Sequence, residues 1–223
     1  MSHEQARELL ESTAEALTSG QDPNRFVPSI AEGTAHRSAI GTLALEESRI
    51  LPADRRAFLH LVARSAGRPR CGEFFTTLAE GETLAMERLG ALLTGCGLDE
   101  VAVQAYEPLA GCQAYPAYVA WLALNSEPAE AVVALYANFG AWGAYCARIA
   151  EALRGRYGFS DEACGFFDFY ALPAPALRDQ AAAAVQEGLD EGRVTAAALR
   201  YGRLLHGSEL TFWNSLHTAS ARR

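Results

Sequence analysis

The stretch EAVVALYANFGAWGAY, residues 130–145, carries apolar side chains in nearly every direction around a helix. Its large apolar members are Val132, Val133, Leu135, Tyr136, Phe139, Trp142 and Tyr145. The Ala and Gly residues between them let neighbouring helices approach closely or leave room for a cavity. A helix that is apolar around its circumference is stable only when other helices surround it. We therefore expect residues 128–155 to form a central helix of a bundle.

Helical periodicity also dominates the rest of the chain, in which Ala, Leu, Glu and Arg fill long segments between Gly and Pro residues. The alternating patterns and hairpin turns that are typical of strands are nearly absent. A long helix is predicted over residues 70–95, and Pro52 is expected to separate a helix over 36–50 from one over 53–66. Because no linker, repeat or low-complexity tract divides the sequence, we predict one all-α domain over residues 1–223.

The charge of the chain excludes several classes of function. A net charge of −8 and a pI near 5.2 argue against a surface for nucleic acid or anionic membranes, which requires clustered basic residues. All 19 basic residues are Arg. Without Lys there is neither a Schiff-base amine nor the lysine of a phosphate-binding P-loop.

The five cysteines are widely spaced, odd in number and free of any C-x-x-C pair, which is typical of reduced thiols. The polar, acidic N-terminus is unlike a signal peptide, and no apolar run approaches the roughly 18 residues of a membrane span. We therefore expect a cytoplasmic protein.

Five segments of the sequence together resemble the TenA/thiaminase-II family. They are RFVPSIAEGTAHRSAIGTLALEES at 25–48, GCQAYPAYVAWL at 111–122, EAVVALYANFGAWGAY at 130–145, FFDFYA at 166–171 and LLHGSELTFWNSL at 204–216. Their order and spacing agree with the family. The resemblance implies a heme-oxygenase-like helical bundle, a small heterocyclic substrate and a homodimer or homotetramer. No nucleic acid or membrane partner is expected.

The resemblance also assigns candidate site residues. Glu47 falls at the carboxylate that anchors the ring of an aminopyrimidine, where the family has the shorter Asp. Tyr115 and Tyr170 fall on pocket tyrosines of the family. Glu209 falls on the acid of "E-x-x-FW", which the family uses for proton transfer. These assignments imply that Glu209 points inward with a raised pKa suited to acid–base chemistry.

One position departs from the family, because Asn138 stands where the nucleophilic cysteine is usual. An amide is too weak a nucleophile for this chemistry, so Asn138 is expected to orient substrate or water. Cys112 and Cys146 are the alternative thiols. Phe139 and Trp142, together with the tyrosines, are expected to stack on the substrate. The resemblance then implies a cofactor-free hydrolase that cleaves a C–N bond of an aminopyrimidine or thiamine-related compound.

Two other functions remain open at this point. Glu80, Glu87 and His206, with Glu47 and Glu209, could ligate metal in a non-heme di-iron oxidase, which the same fold can host. Glu80 and Glu87 also belong to a seven-residue repeat that is typical of a solvated helix face. A TenA-like protein that binds a small molecule without catalysis is the other alternative.

Overall fold

The computed structural model of the protein describes residues 3–18 and 23–221. These residues form ten α-helices and no strand. The helices are α1 Glu4–Thr18, α2 Phe26–Ala31, α3 Arg37–Arg64, α4 Pro69–Gly95, α5 Glu100–Ala105, α6 Ala114–Asn125, α7 Pro128–Gly155, α8 Asp161–Ala171, α9 Pro175–Asp190 and α10 Ala197–Ser220. The prediction of an all-α bundle is confirmed.

Helix α7 lies in the middle of this bundle. It packs against α1, α2, α4, α6, α8, α9 and α10, which cover the apolar circumference of its first half. One face of the second half is exposed, at Ala147, Arg148 and Glu151. Val132 and Val133 are fully buried among Ala and Leu side chains of the first half of α7, while Cys146 and Ile149 are buried in the second half. Each fully buried aliphatic side chain of this kind stabilises the fold by roughly 1.5–3 kcal/mol relative to an exposed one.

The buried side chains form two apolar clusters. One includes Phe26, Phe166 and Trp213, and the other includes Phe74 and the Val residues of α7. Tyr115 on α6 packs against both clusters. Its side chain therefore lies where the two parts of the core meet.

Most helix starts follow directly from local chemistry. Pro69, Pro128 and Pro175 each occupy the first turn of their helices, where a missing amide hydrogen costs no hydrogen bond. The Asp99 carboxylate accepts a hydrogen bond of 2.8 Å from the amide of Ala102, and Ser160 caps α8 in the same way.

Pro52 does not end a helix, which corrects the prediction of two helices in this region. It lies inside α3, which continues from Arg37 to Arg64. A proline in a helix interior costs about 3 kcal/mol because it removes one hydrogen bond and crowds the preceding turn. Burial of Ile50, Leu51 and Phe58 on either side of Pro52 offsets this cost.

Within the described ranges, no helix combines the length and the apolar character needed to cross a lipid bilayer. All five cysteines are unpaired.

Helix α9 approaches α7 so closely that Gly188 has no room for a side chain. A Cβ atom added at Gly188 would lie 2.3 Å from Cβ of Ala129. We expect Gly188→Ala to lower the free energy of unfolding by about 1–3 kcal/mol, because the helices have to move apart. Gly90→Ala, at an exposed position inside α4 with no atom near the new Cβ, is the control and should be neutral or stabilising by about 1 kcal/mol. Urea unfolding followed by circular dichroism measures both, and equal effects would contradict the close packing.

Candidate active site

Glu209 on α10 is buried, with 4% of its surface exposed. The indole Nε1 of Trp213 donates a hydrogen bond of 3.2 Å to its Oε1 atom, while its Oε2 atom has no hydrogen-bond partner. Burial raises the pKa of Glu209 from 4.5 to about 7, although the bond from Trp213 opposes this shift. The carboxyl group is thus held in place by one oxygen and presents the other, with a pKa near neutral pH.

The two neighbouring acids of α3, Glu46 and Glu47, have different surroundings. Glu46 accepts hydrogen bonds from the Tyr106 hydroxyl, the Leu109 amide and the Gln113 side chain, at 2.6, 2.6 and 3.0 Å. These bonds fix the segment that leads into α6. Glu47 is 2% exposed, and its pKa is raised well above the ordinary value by burial and by the charges of Asp54 and Glu46.

Two further acids, Asp54 on α3 and Glu82 on α4, interact electrostatically with Glu47 and were not predicted from the sequence. Asp54 is 5% exposed, and its Oδ1 atom has no hydrogen-bond partner. Burial raises the pKa of Asp54 to about 8. The pKa of Glu82 is raised well above its ordinary value by burial and by the charges of Asp54 and Glu47. We call Glu47, Asp54 and Glu82 the acidic cluster.

A row of aromatic rings connects the acidic cluster to Glu209. The Tyr170 hydroxyl donates a hydrogen bond of 3.4 Å to Glu82. The Tyr170 ring meets Trp142 edge-on with 5.5 Å between centroids, and Trp142 lies 5.4 Å from Trp213, the hydrogen-bond partner of Glu209. We call Tyr170, Trp142 and Trp213 the aromatic wall. It joins, through apolar ring contacts, two positions that carry carboxyl groups.

Tyr115 and Cys146 are influenced by carboxyl groups of both positions. Burial and the charges of Asp54, Glu209, Glu82 and Glu47 together raise the pKa of Tyr115. The pKa of this one phenol therefore responds to the acidic cluster and to Glu209. That Glu47, Tyr115, Tyr170 and Glu209 line one chamber, as the resemblance implies, stays a prediction.

The thiols of this region are poor nucleophiles. Cys146 is fully buried, and its pKa is raised well above 9.0 by burial and by the charges of Glu47 and Glu209. Burial and the charge of Glu46 likewise raise the pKa of Cys112. Because the thiolate rather than the thiol attacks carbon, both groups are in the unreactive form at neutral pH.

Asn138 is expected to orient substrate or water. In the structure, both Nδ2 and Oδ1 of its side-chain amide are used in hydrogen bonds within the protein. Its Nδ2 atom donates to the carbonyl of Ala134 at 2.8 Å, and its Oδ1 atom lies 3.1 Å from Nδ1 of His206. Burial lowers the pKa of His206, so its ring is neutral and Nδ1–H is the donor to Asn138. The Nδ1 atom of His206 is also 3.9 Å from Oε2 of Glu209. Asn138 thus orients His206 beside the acid.

Two other expectations need correction. Phe139 packs against Phe74 and Tyr136, with centroid distances of 6.5 and 6.1 Å, and makes no ring contact with the aromatic wall. Glu80 and Glu87 are exposed on α4, whereas His206 is buried on α10, so these three residues do not form a metal site. Among the described residues, no group of three or more His, Cys, Asp and Glu is arranged to hold a metal ion.

Comparison with protein families identifies the relationship. Residues 25–194 match the model of the TENA/THI-4/PQQC family. The chain belongs to this family. The match covers Glu47, the rest of the acidic cluster, Tyr115 and Tyr170, while Glu209 lies beyond its end. No curated protein matches the chain.

Solved structures with this fold include several with family names. A heme oxygenase-like domain of unknown function from Shewanella denitrificans is 14% identical with a TM-score of 0.66, and the alignment covers 100% of this chain and 93% of that one. A TenA family transcription regulator from a Silicibacter species is 17% identical with a TM-score of 0.67 and coverages of 96% and 94%. A protein proposed to be a TenA-like thiaminase from Sulfolobus solfataricus is 13% identical with a TM-score of 0.64 and coverages of 97% and 96%. At these identities the likeness establishes the heme oxygenase-like fold.

The raised pKa of Glu209 predicts a pH-dependent stability. Its pKa of about 7 lies above the ordinary 4.5, so the folded state retains a proton that the unfolded chain releases between these pH values. Stability therefore falls as the pH rises through this range. We expect Glu209→Gln to be more stable than the wild type at pH 8 by up to about 3 kcal/mol, with a much smaller gain at pH 5.

Urea unfolding of both proteins at the two pH values measures this difference. Glu80→Gln, at an exposed position, is the control and should unfold like the wild type at both. A gain for Glu209→Gln that is the same at pH 5 and pH 8 would contradict a buried, neutral carboxyl group.

Proposed function

We propose that the protein is a TenA-type hydrolase that cleaves a C–N bond of a small nitrogen heterocycle, an aminopyrimidine or a thiamine-related compound, without a covalent cysteine intermediate. The observation that carries this proposal is the unpartnered Oε2 atom of the buried Glu209. The charges of Glu209 and Glu47 both raise the pKa of Tyr115, which supports a site that includes all three residues. Membership of the family supports the substrate class, and one structural neighbour is proposed to be a thiaminase.

Glu209 serves as the acid and base of the reaction. With a pKa of about 7 it is present in both protonation states near neutral pH. The ionised form accepts a proton from water, whose oxygen forms a bond to carbon. The protonated form gives a proton to the nitrogen as the C–N bond breaks, so an amine or ammonia leaves. The Trp213 hydrogen bond to Oε1 keeps Oε2 directed at the reacting atoms.

Glu47 and the aromatic wall position the substrate. The flat ring lies against the face of Trp142, and Tyr170, whose ring stands at 82° to that of Trp142, meets the ligand edge-on. Burial favours the protonated form of Glu47. The carboxyl group therefore donates its O–H to a ring nitrogen of the amidine and accepts the exocyclic N–H through its other oxygen. His206 is a positioning residue in this scheme, since Asn138 fixes its neutral ring next to Glu209.

We expect Glu209→Gln to lower kcat by about 100-fold or more, because the amide keeps the shape and the bond from Trp213 but cannot exchange a proton. The assay offers thiamine and a set of 4-aminopyrimidines with amine or formamide side chains, and mass spectrometry in H2¹⁸O detects the water-derived oxygen in the product. Glu80→Gln is the control and should retain full activity. An undiminished rate in Glu209→Gln would remove Glu209 from the reaction.

We expect Cys146→Ala to retain kcat within about threefold, because a thiol held protonated by burial and two acids does not attack carbon. Some loss of stability should accompany the change, since Cys146 is fully buried. Kinetics below the unfolding temperature of the variant separate the two effects. Loss of turnover in a folded Cys146→Ala protein, together with a covalent adduct on Cys146 in the wild type, would support the thiol route instead.

A further inference from the structure

The acidic cluster holds more carboxyl groups than one ring amidine needs. Glu47 and Asp54 lie seven residues apart on the continuous helix α3, which places them on one face roughly 10 Å apart along the axis. Glu82 joins them from α4 and is bound by the Tyr170 hydroxyl at 3.4 Å. Asp54 is 95% buried, and its Oδ1 atom has no partner in the protein. An unsatisfied buried carboxylate oxygen is costly and calls for a ligand.

No arginine neutralises this cluster. Among the described residues, none of its three carboxyl groups forms an ion pair with a basic side chain. Two arginines of α3 that are close to these acids in sequence donate elsewhere. Arg55 bonds the Thr83 hydroxyl at 2.9 Å, and Arg49 bonds backbone carbonyls, that of Val103 among them at 2.9 Å. The negative charge that the cluster can develop is therefore left for a bound molecule.

Glu209 is separate from this cluster. The charge of Asp54 raises the pKa of Glu47 and of Glu82, whereas the pKa of Glu209 is set by its own burial and by Trp213. Two ring contacts of the aromatic wall separate Tyr170, which binds Glu82, from Trp213, which binds Glu209. The candidate site thus has two acidic positions with aromatic rings between them.

We propose that the substrate is a flat nitrogen heterocycle with a second, cationic nitrogen group, an ammonium, amidinium or guanidinium, which binds between Asp54, Glu82 and Glu47, away from the bond that breaks at Glu209. Only the placement of the breaking bond at Glu209 rests on the proposed function. The second cation supplies the N–H donors that Asp54 lacks, and its charge compensates that of the cluster. The arrangement of the carboxyl groups favours an organic cation, because none of the described acidic groups forms a metal-binding set.

Matched ligands test this assignment by binding alone. The probes are 4-aminopyrimidines with an aminomethyl group at carbon 2, 5 or 6, each paired with the ethyl analogue of nearly the same shape. Isothermal titration calorimetry on the full chain should show at least one aminomethyl isomer that binds about tenfold or more tightly than its ethyl partner. In Asp54→Asn this preference should fall below about threefold, and Glu82→Gln should reduce it in the same direction.

Two controls make the outcome decisive. Glu80→Gln, exposed on the same helix as Glu82, should keep the preference, and so should Glu209→Gln. Equal binding of all aminomethyl and ethyl pairs would overturn the second cation. If the preference for the aminomethyl ligand persists in Asp54→Asn and is lost in Glu209→Gln, the ammonium binds at Glu209. That result would also overturn the proposed second cation site. Failure of the hydrolase proposal is distinguishable, because it appears in turnover and leaves the ligand preference unchanged.

Discussion

The bundle depends on the burial of the first half of α7. Helices surround this half because apolar side chains occupy its circumference, and the same helix contributes to the candidate site. Trp142 of α7 supplies the middle of the aromatic wall, the charges of Glu47 and Glu209 act on Cys146, and Asn138 fixes His206. One helix therefore both holds the core together and contributes to several parts of the site.

Removal of carboxyl groups from water sets the chemistry of the site. A buried acid without a cation keeps its proton, and the structure contains several such acids in one region. Their environments differ. Glu46 is fully satisfied by donors from the segment before α6, whereas Asp54 and Glu209 each keep a bare oxygen. Glu46 therefore stabilises the fold. Asp54 and Glu209 each bury an oxygen without a hydrogen bond, which costs free energy that a bound ligand can recover.

The sequence was sufficient for the helical class, for the central position of α7 and for an inward-pointing Glu209. Asp54 was not predicted because Pro52 suggested that one helix ends and another begins there. In two separate helices, the positions of Glu47 and Asp54 relative to each other could not be inferred. Burial on both sides of Pro52 keeps α3 continuous, and local propensity could not reveal this.

The inward position of Glu82 could have been predicted from the sequence. It lies seven residues after Phe75 and seven before Leu89, both of which are buried, so it occupies the inward face of α4. The regular repeat of Glu80 and Glu87 drew attention to the exposed face instead. The bonding of Asn138 to His206 could not be anticipated, because it joins residues 68 positions apart in the chain.

The contrast between Glu46 and Glu47 has a consequence for how such a protein can evolve. Glu46 holds Tyr106, Leu109 and Gln113, and thereby the approach to the helix that carries Tyr115. A change at Glu46 would disturb Tyr115 and Glu47 together, whereas a change at Glu47 leaves that framework intact. Under the proposed function, new substrate preferences can therefore arise at position 47 by single substitutions, while position 46 can change only together with its hydrogen-bond partners.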